Sequence, residues 1–167
     1  MEYFDVVDIN KNKINKILPR GATLKPDEYN VGVEVWIINS NNQLLLTQRS
    51  KLKSHSLQWE TPGGCLVSGE TSEEASIREI KEEIGLDINF NDLNYIKTHL
   101  YKYQFIDIYI VKKDIEISEL SLQIDEVSDI RWISIKDFLK LNKNGQIVHS
   151  VYERYNLIKD RLIEGVK

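Results

Sequence analysis

Three glutamates, Glu79, Glu82 and Glu83, lie close together in the chain at spacings of three and four residues. On an α-helix, which has about 3.6 residues per turn, that spacing puts all three carboxylates on one face. Each like-charged pair at such a spacing destabilises a helix by roughly 0.2–0.5 kcal/mol, and Arg78 and Lys81 are the nearby cations that can offset the repulsion. The pattern therefore predicts that a divalent cation binds to this face.

The helix that must position these carboxylates has clear signals at both ends. Thr71 and Glu74 form a capping-box pattern at its start, and Gly85 is a suitable stop. In front of it, residues 59–64 end in a proline and paired glycines, which allow a tight turn whose backbone can approach a ligand closely. The sequence predicts a glycine turn that leads into an acidic helix.

The loop before that turn is basic, because residues 49–55 include Arg49, Lys51, Lys53 and His55. Two interpretations are open for these side chains. They belong to a solvated surface loop, or they contact phosphate, since arginine binds phosphate through two parallel hydrogen bonds and lysine binds it as a point charge.

The rest of the chain is a mixture of predicted strands and helices. Strands are predicted at residues 2–9, 14–18, 29–39, 43–48, 95–101, 104–111 and 127–133, and further helices at residues 134–141 and 149–163. The first two strands would form a hairpin. The inward face of the last helix is predicted to carry Val151, Tyr155, Leu157, Ile158 and Leu162. Such a mixture within one compact chain indicates a layered α/β or α+β fold.

The length of 167 residues suits one domain, with residues 1–28 as an N-terminal extension or hairpin and residues 29–167 as the core. The formal charge of −4 and the absence of a basic run argue against a nucleic-acid polymer or a membrane surface as partner. No apolar run is long enough to span a bilayer. A single cysteine, Cys65, and an acidic N-terminus without a signal-peptide pattern favour the cytoplasm.

Residues 64–86 resemble the signature box of the Nudix hydrolase superfamily. The matching positions are Gly64, Glu70, Arg78, Glu79, Ile80, Glu82, Glu83, Gly85 and Leu86. Residues 44–49 and 59–64 are similar to the family's second core strand and to the lead-in of its box. Residues 5–21 look like the subgroup related to isopentenyl diphosphate isomerase. The resemblance implies an α/β/α sandwich with a mixed central sheet, in which the box forms a loop-helix-loop.

The resemblance also implies roles for the residues of the box. Glu79, Glu82 and Glu83 would be metal ligands, and Arg78 would orient the acidic cluster. Further members of the implied metal set are Glu70, as a supporting carboxylate, and the carbonyl of Gly64. Oxygen-only ligands suit Mg²⁺, with Mn²⁺ as the alternative ion. A water whose pKa the metal lowers would attack a phosphorus of the diphosphate, and Glu82 or Glu83 could take its proton.

Substrate contacts are expected in the loops around the box, at Arg20, Arg49 and Lys51. Some family members place an extra ligand or base in a later loop, and the best candidate for this role is Glu126, which precedes a predicted strand. The alternative for Glu126 is an ordinary surface acid. The early hairpin could also supply the edge of a homodimer.

Two departures from known motifs restrict the substrate. Ser54, Leu57 and Thr61 stand where the coenzyme A diphosphatase motif has arginine, glycine and phenylalanine, which disfavours coenzyme A. Cys65 lies near the region of the isomerase cysteine but does not match its motif, and a small buried residue is the favoured interpretation.

The main hypothesis is therefore a metal-dependent hydrolase of a small-molecule diphosphate. Its substrate would be a nucleoside diphosphate linked to another group, or a nucleoside triphosphate. One alternative is an isomerase of the isopentenyl diphosphate type, which would need Cys65. The other is a non-catalytic nucleotide-sensing module, which would bind without turnover.

Overall fold

The computed structural model describes residues 1–164, with side chains described for residues 1–162. The strands are β1 (Tyr3–Val7), β2 (Lys13–Pro19), β3 (Asn30–Ile38), β4 (Gln43–Arg49), β5 (Trp59–Glu60), β6 (Gly63–Cys65), β7 (Asn94–Tyr101), β8 (Gln104–Lys112) and β9 (Val127–Ser134). The α-helices are α1 (Ser72–Ile84), α2 (Ile135–Lys143) and α3 (His149–Glu164). Residues 165–167, which the sequence prediction assigns to the core, lie outside the described part of the chain.

Strand β3 is the centre of a mixed sheet. It runs parallel to β8 along its whole length, from the pair Asn30–Gln104 to the pair Ile38–Lys112. Its other edge pairs antiparallel with β6 and, at Ile38, with β4. Strand β7 extends the sheet beyond β8, and β5 and β9 both pair with β4. The almost continuous apolar sequence of β3 suits a strand that is buried on both faces.

Helices cover both faces of this sheet. Alternate residues of β3 point to opposite sides, so that Val33, Val35 and Ile37 pack with Ala75, Ile80 and Ile84 of α1. Trp36 and Ile38 pack on the other side with Phe138 of α2 and with α3. The predicted sandwich with a mixed central sheet is confirmed.

The inward face of α3 differs from the prediction at one position. Val151, Tyr155, Ile158 and Leu162 are buried, whereas Leu157 is 43% exposed. The four buried residues recur at steps of four, three and four, which follows one stripe along the helix. Leu157 precedes Ile158 by one position, about 100° around the axis, and so lies outside this stripe.

The N-terminal hairpin is confirmed, with β1 and β2 paired antiparallel as a separate two-stranded sheet. It packs on the core through the buried side chains of Phe4, Val6 and Val7. At its turn, the Lys11 ammonium donates to both carboxylate oxygens of Asp107, at 2.7 and 2.8 Å. No helix within the described residues is long and apolar enough to cross a membrane.

Candidate active site

Helix α1 begins and ends where the sequence predicts. The Thr71 side chain accepts a hydrogen bond from the Glu74 backbone at 3.2 Å, and the Glu74 carboxylate accepts one from the Thr71 backbone at 2.8 Å. Gly85 ends the helix with φ at 69°, a left-handed conformation that glycine adopts at little cost. These local signals fix where each glutamate stands along the helix.

The three glutamates of this helix differ in their surroundings. Glu79 and Glu83 are buried, at 7% and 4% exposure, whereas the Glu82 side chain is 50% exposed. Gly63 and Gly64 cover the two buried carboxylates; the sequence predicts them in a tight turn, but they lie in the short strand β6, because they pair with β3. A Cβ on Gly64 would lie 2.2 Å from Oε1 of Glu79, and the Gly63 backbone N–H donates to Oε2 of Glu83 at 3.3 Å. Because Gly64 has no side chain, the Glu79 carboxylate can occupy the space beside it.

Arg78 holds this acidic cluster together. Its Nε donates to Oε1 of Glu70 at 2.6 Å, and its Nη1 donates to Glu79 at 2.9 Å and to Glu82 at 3.1 Å. Its Nη2 donates to the Cys65 carbonyl and to Oε2 of Glu70. These contacts engage all five N–H donors of the guanidinium, so Arg78 orients several acids at once.

Lys81 does not offset the repulsion between the three glutamates, although the sequence predicts that it can. Its ammonium pairs with Asp87 at 2.7 Å, beyond the end of the helix.

Both oxygens of Glu70 bind Arg78, and Oε2 also accepts the Val67 backbone N–H at 2.7 Å. These contacts suit the predicted supporting role of Glu70.

The two buried carboxylates of the cluster hold a proton more tightly than free carboxylates do. Burial, together with the neighbouring carboxylates of Glu60 and Glu79, raises the pKa of Glu83 to about 8. Burial also raises the pKa of Glu79, although Arg78 opposes this shift. Because carboxylates bind a divalent cation in their deprotonated form, an ion that binds here would displace the proton of Glu83, and its affinity would rise with pH.

A single cleft of about 390 Å³ of open space joins residues from distant parts of the chain. Its walls are formed by Glu2, Arg20, Lys53, Gly63, Glu79, Glu82, Glu83, Gln123 and Glu126. The fold thus brings two of the predicted outer residues, Arg20 and Glu126, to the three glutamates of α1. The Arg20 guanidinium also pairs with Glu2.

Lys53 is a functional candidate that the sequence does not separate from its neighbours. Its ammonium pairs with the Glu126 carboxylate and lies 3.9 Å from Oε1 of Glu83. Nothing in the local sequence distinguishes it from Lys51, which is exposed and does not line the cleft. Only the path of the loop after β4 determines which lysine faces the acids.

Arg49 stands apart from the cleft in this structure. Its Nη1 donates to both oxygens of Glu60, at 2.8 and 2.7 Å, and its Nε donates to the Ser54 carbonyl at 2.6 Å. The arginine therefore shapes the loop that carries Lys53. Its predicted contact with substrate would require these bonds to open.

The fit of the site to a metal ion depends on side-chain rearrangement. Within the part of the chain whose side chains are described, no three acidic, histidine or cysteine groups converge closely enough to hold a metal as they stand. Arg78 binds Glu79 and Glu82, and Lys53 lies beside Glu83. The donor set is nevertheless oxygen-only and shares one cleft, which fits Mg²⁺ or Mn²⁺ in chemical type.

A second cleft lies next to the first and meets it at Gly63, the first residue of β6. Gly63 lines both clefts, and the second one also contains Thr61, Cys65, Gln104 and Arg154. The Cys65 thiol accepts a hydrogen bond from Nε2 of Gln104 at 3.1 Å, and burial raises its pKa. A raised pKa disfavours a reactive thiolate. Cys65 is nevertheless only partly buried and lines this cleft, whereas the sequence predicts a buried residue.

Comparisons with known proteins agree with this architecture. A family model described as NUDIX domain matches residues 28–155. The chain is 33% identical over 150 residues to the uncharacterized Nudix hydrolase lin0387 of Listeria innocua, with 89% of each chain covered.

Two solved structures show the same fold. DR0079 from Deinococcus radiodurans superimposes with a TM-score of 0.73 at 23% identity, covering 88% of this chain and 92% of that one. A bifunctional NMN adenylyltransferase/ADP ribose pyrophosphatase from Francisella tularensis, complexed with AMP and a Mn ion, gives a TM-score of 0.65 at 24% identity and covers 84% and 43%. Because the family model spans most of the sequence, including the whole acidic helix, this chain belongs to the Nudix hydrolase family.

Proposed function

We propose that this protein is a Mg²⁺-dependent diphosphatase that cleaves a nucleoside diphosphate linked to another group, or a nucleoside triphosphate. Membership of the family implies hydrolysis of a pyrophosphate bond. Enzymes of this family generally depend on a divalent metal ion. The observation that carries the proposal is the cleft in which the three glutamates of α1 face Arg20 and Lys53. Carboxylates that bind a metal and cations that bind phosphate are the two halves of a diphosphate site.

Glu79, Glu82 and Glu83 would hold the ion, with the Gly64 carbonyl as a further ligand. When bound, the ion would lower the pKa of a water molecule and neutralise charge on the phosphoryl oxygens. Arg78 would keep Glu79 and Glu82 oriented while they bind, since it contacts both. Glu83 would lose its proton on metal binding, because ligands bind divalent cations in their deprotonated form.

The attacking water also needs a proton acceptor. Glu82 and Glu126 are both accessible from the cleft, and Glu83 lies at its inner wall. Each carboxylate can accept a proton from a water positioned between it and the phosphate. Arg20 and Lys53 would contact the phosphate oxygens. Arg49 would affect substrate binding indirectly, because its hydrogen bonds to Ser54 and Glu60 shape the loop that carries Lys53.

A hydrolysis panel tests this proposal. Nucleoside triphosphates and nucleoside diphosphates linked to sugars or other groups, ADP-ribose included, are incubated with Mg²⁺ or Mn²⁺. Products are identified by ³¹P NMR and mass spectrometry. We expect release of a nucleoside monophosphate from at least one substrate, and an intact panel under both metals would refute the proposal.

Two single variants locate the activity. Glu82→Gln and Glu83→Gln should each lower kcat/KM by at least about 100-fold, since each removes an implied metal ligand. Glu73→Gln, which changes the same charge in the first turn of the same helix but outside the cleft, should retain wild-type rates. Equal losses in all three variants would mean that the cleft is not the site.

The same experiments separate the alternatives. An isomerase of isopentenyl diphosphate would show double-bond migration that Cys65→Ser abolishes. The partly buried thiol, whose pKa burial raises, gives this reaction no support. A sensing module would bind a nucleotide without turnover, although such a module has no need for three metal-binding carboxylates.

A further inference from the structure

We propose that Lys53 is a phosphate-binding residue that competes with the divalent cation for Glu83 and Glu126, and that the metal displaces it toward the substrate. This inference rests on the proposed function. It assigns Lys53 a role in the reaction, and it links metal binding to the arrival of a cation at the phosphate.

The Lys53 ammonium lies between two acids of the cleft. Its Nζ pairs with the Glu126 carboxylate and lies 3.9 Å from Oε1 of Glu83. It thus lies between Glu83, at the inner wall of the cleft, and Glu126, directly before β9. Arg78 cannot replace it there, because its five donors bind Glu70, Glu79, Glu82 and the Cys65 carbonyl.

This ammonium and a metal ion would compete for the same carboxylate. Glu83, one of the implied metal ligands, is buried, and its Oε1 lies 3.9 Å from the Lys53 ammonium. A divalent cation bound by Glu83 would come within a few ångströms of the ammonium. At such a distance two positive charges repel strongly in a partly buried cleft, so the two cations exclude each other.

The displaced side chain would stay over the cleft. The loop backbone is fixed on both sides of Lys53, because Ser50 Oγ donates to the Asp125 carbonyl at 2.6 Å and Arg49 binds the Ser54 carbonyl. Its flexible stem can therefore turn while its Cα keeps its position. A diphosphate is the anion that a metal in this cleft would attract, and a lysine binds phosphate as a movable point charge.

The test uses Lys53→Met, which keeps the length of the stem and removes the charge. Mn²⁺ binding to the full chain is titrated by electron paramagnetic resonance without substrate. Binding of methylenediphosphonate, a non-hydrolysable diphosphate, is then measured by calorimetry at saturating Mn²⁺. We expect Mn²⁺ to bind roughly 3- to 10-fold more tightly and methylenediphosphonate to bind roughly 3- to 10-fold more weakly than in the wild type.

Opposite changes in the two affinities are the signature of competition. A salt bridge that merely orders the loop would weaken both, and that result would overturn the proposal, as would an unchanged Mn²⁺ affinity. Lys53→Gln should repeat the pattern, and Lys53→Arg should stay close to wild type for Mn²⁺. Lys159→Met, an equal charge change at an exposed position of α3, should alter neither affinity.

Glu82→Gln in the same titration keeps this proposal separate from the proposed function. If Glu82→Gln binds Mn²⁺ as tightly as the wild type, the cluster is not the metal site and the proposed function fails. If Glu82→Gln loses Mn²⁺ while Lys53→Met binds it as the wild type does, the role of Lys53 alone is overturned.

Discussion

Glu79, Glu82 and Glu83 share one helical face but differ in their environment. Their shared face is predicted correctly from the sequence, since spacing along a helix is local. The sequence does not indicate that two of them are buried under the glycines of β6 while the third stays half exposed. That difference sets their separate properties, because burial penalises the charged form of a carboxylate.

The raised pKa of Glu83 predicts a pH-dependent stability. Between its ordinary pKa of 4.5 and about 8, the folded chain holds a proton on Glu83 that the unfolded chain has lost. Rising pH therefore lowers the free energy of unfolding through this range, by at most about 1.4 kcal/mol per pH unit. Urea titrations between pH 5 and pH 8, run with a chelator, measure the slope.

The matched variant for this prediction is Glu83→Gln, which cannot ionise. Its free energy of unfolding should fall less steeply with pH than that of the wild type. Added Mg²⁺ should also restore stability to the wild type at high pH, because only the ionised cluster binds the metal. Parallel pH curves for the two proteins would show that Glu83 titrates normally.

At the scale of elements, the contact between β6 and α1 creates the site. Capping signals set the start of α1, and the pairing of β6 with β3 sets where Gly63 and Gly64 lie relative to the helix. Strand β6 and helix α1 meet where Gly64 lies against the Glu79 carboxylate. Any side chain at this position would push the helix and the strand apart or move the carboxylate.

Gly64→Ala should therefore disable the site. The new Cβ would lie 2.2 Å from Oε1 of Glu79, a distance that forces the carboxylate to move. We expect Mn²⁺ affinity and kcat/KM to fall by at least about tenfold, since a displaced ligand loses its geometry. Mn²⁺ titration and steady-state kinetics measure both.

Gly145→Ala is the control for this change. Gly145 has φ at 70°, and among the described residues, apart from its chain neighbours, no atom lies within 4 Å of the place that a Cβ would take. Alanine there costs about 1 kcal/mol of backbone strain without a clash. Its thermal stability should drop while Mn²⁺ affinity stays at the wild-type value. If Gly64→Ala behaves in the same way, the close approach to Glu79 is not important for binding.

At the scale of the whole molecule, the hairpin and the core are joined by a buried charge. Asp107 on β8 is buried and accepts hydrogen bonds from Lys11 in the hairpin turn, Ser72 of α1 and Thr98 of β7. Four separate segments thus meet at one carboxylate. We propose that residues 1–28 unfold together with the core as one domain.

Lys11→Met tests this coupling. Loss of the ammonium leaves Asp107 with fewer donors and should lower the free energy of unfolding by roughly 1–2 kcal/mol, because Lys11 is partly exposed. Urea unfolding followed by tryptophan fluorescence and by far-ultraviolet circular dichroism should still give one coincident transition. Lys159→Met should leave the midpoint unchanged, and two separate transitions would contradict the single domain.

The sequence by itself determined the acidic helix, its caps, the strands other than β5 and β6, and the mixed class of fold. Capping, helical spacing and strand patterns act between residues that are close in the chain, so they can be read without the fold. The resemblance to the Nudix box also implied that Arg78 orients the cluster, and Arg78 donates hydrogen bonds to Glu70, Glu79 and Glu82 in the structure.

The tertiary structure alone decided which distant groups meet those carboxylates. Lys53 and Arg20 reach the cleft, whereas Arg49 binds Glu60 and Lys51 stays exposed. Likewise, the sheet register, not the helix, places Gly64 over Glu79. The physical reason is that such contacts depend on loop paths and strand pairing between residues far apart in sequence, where local propensity carries no information.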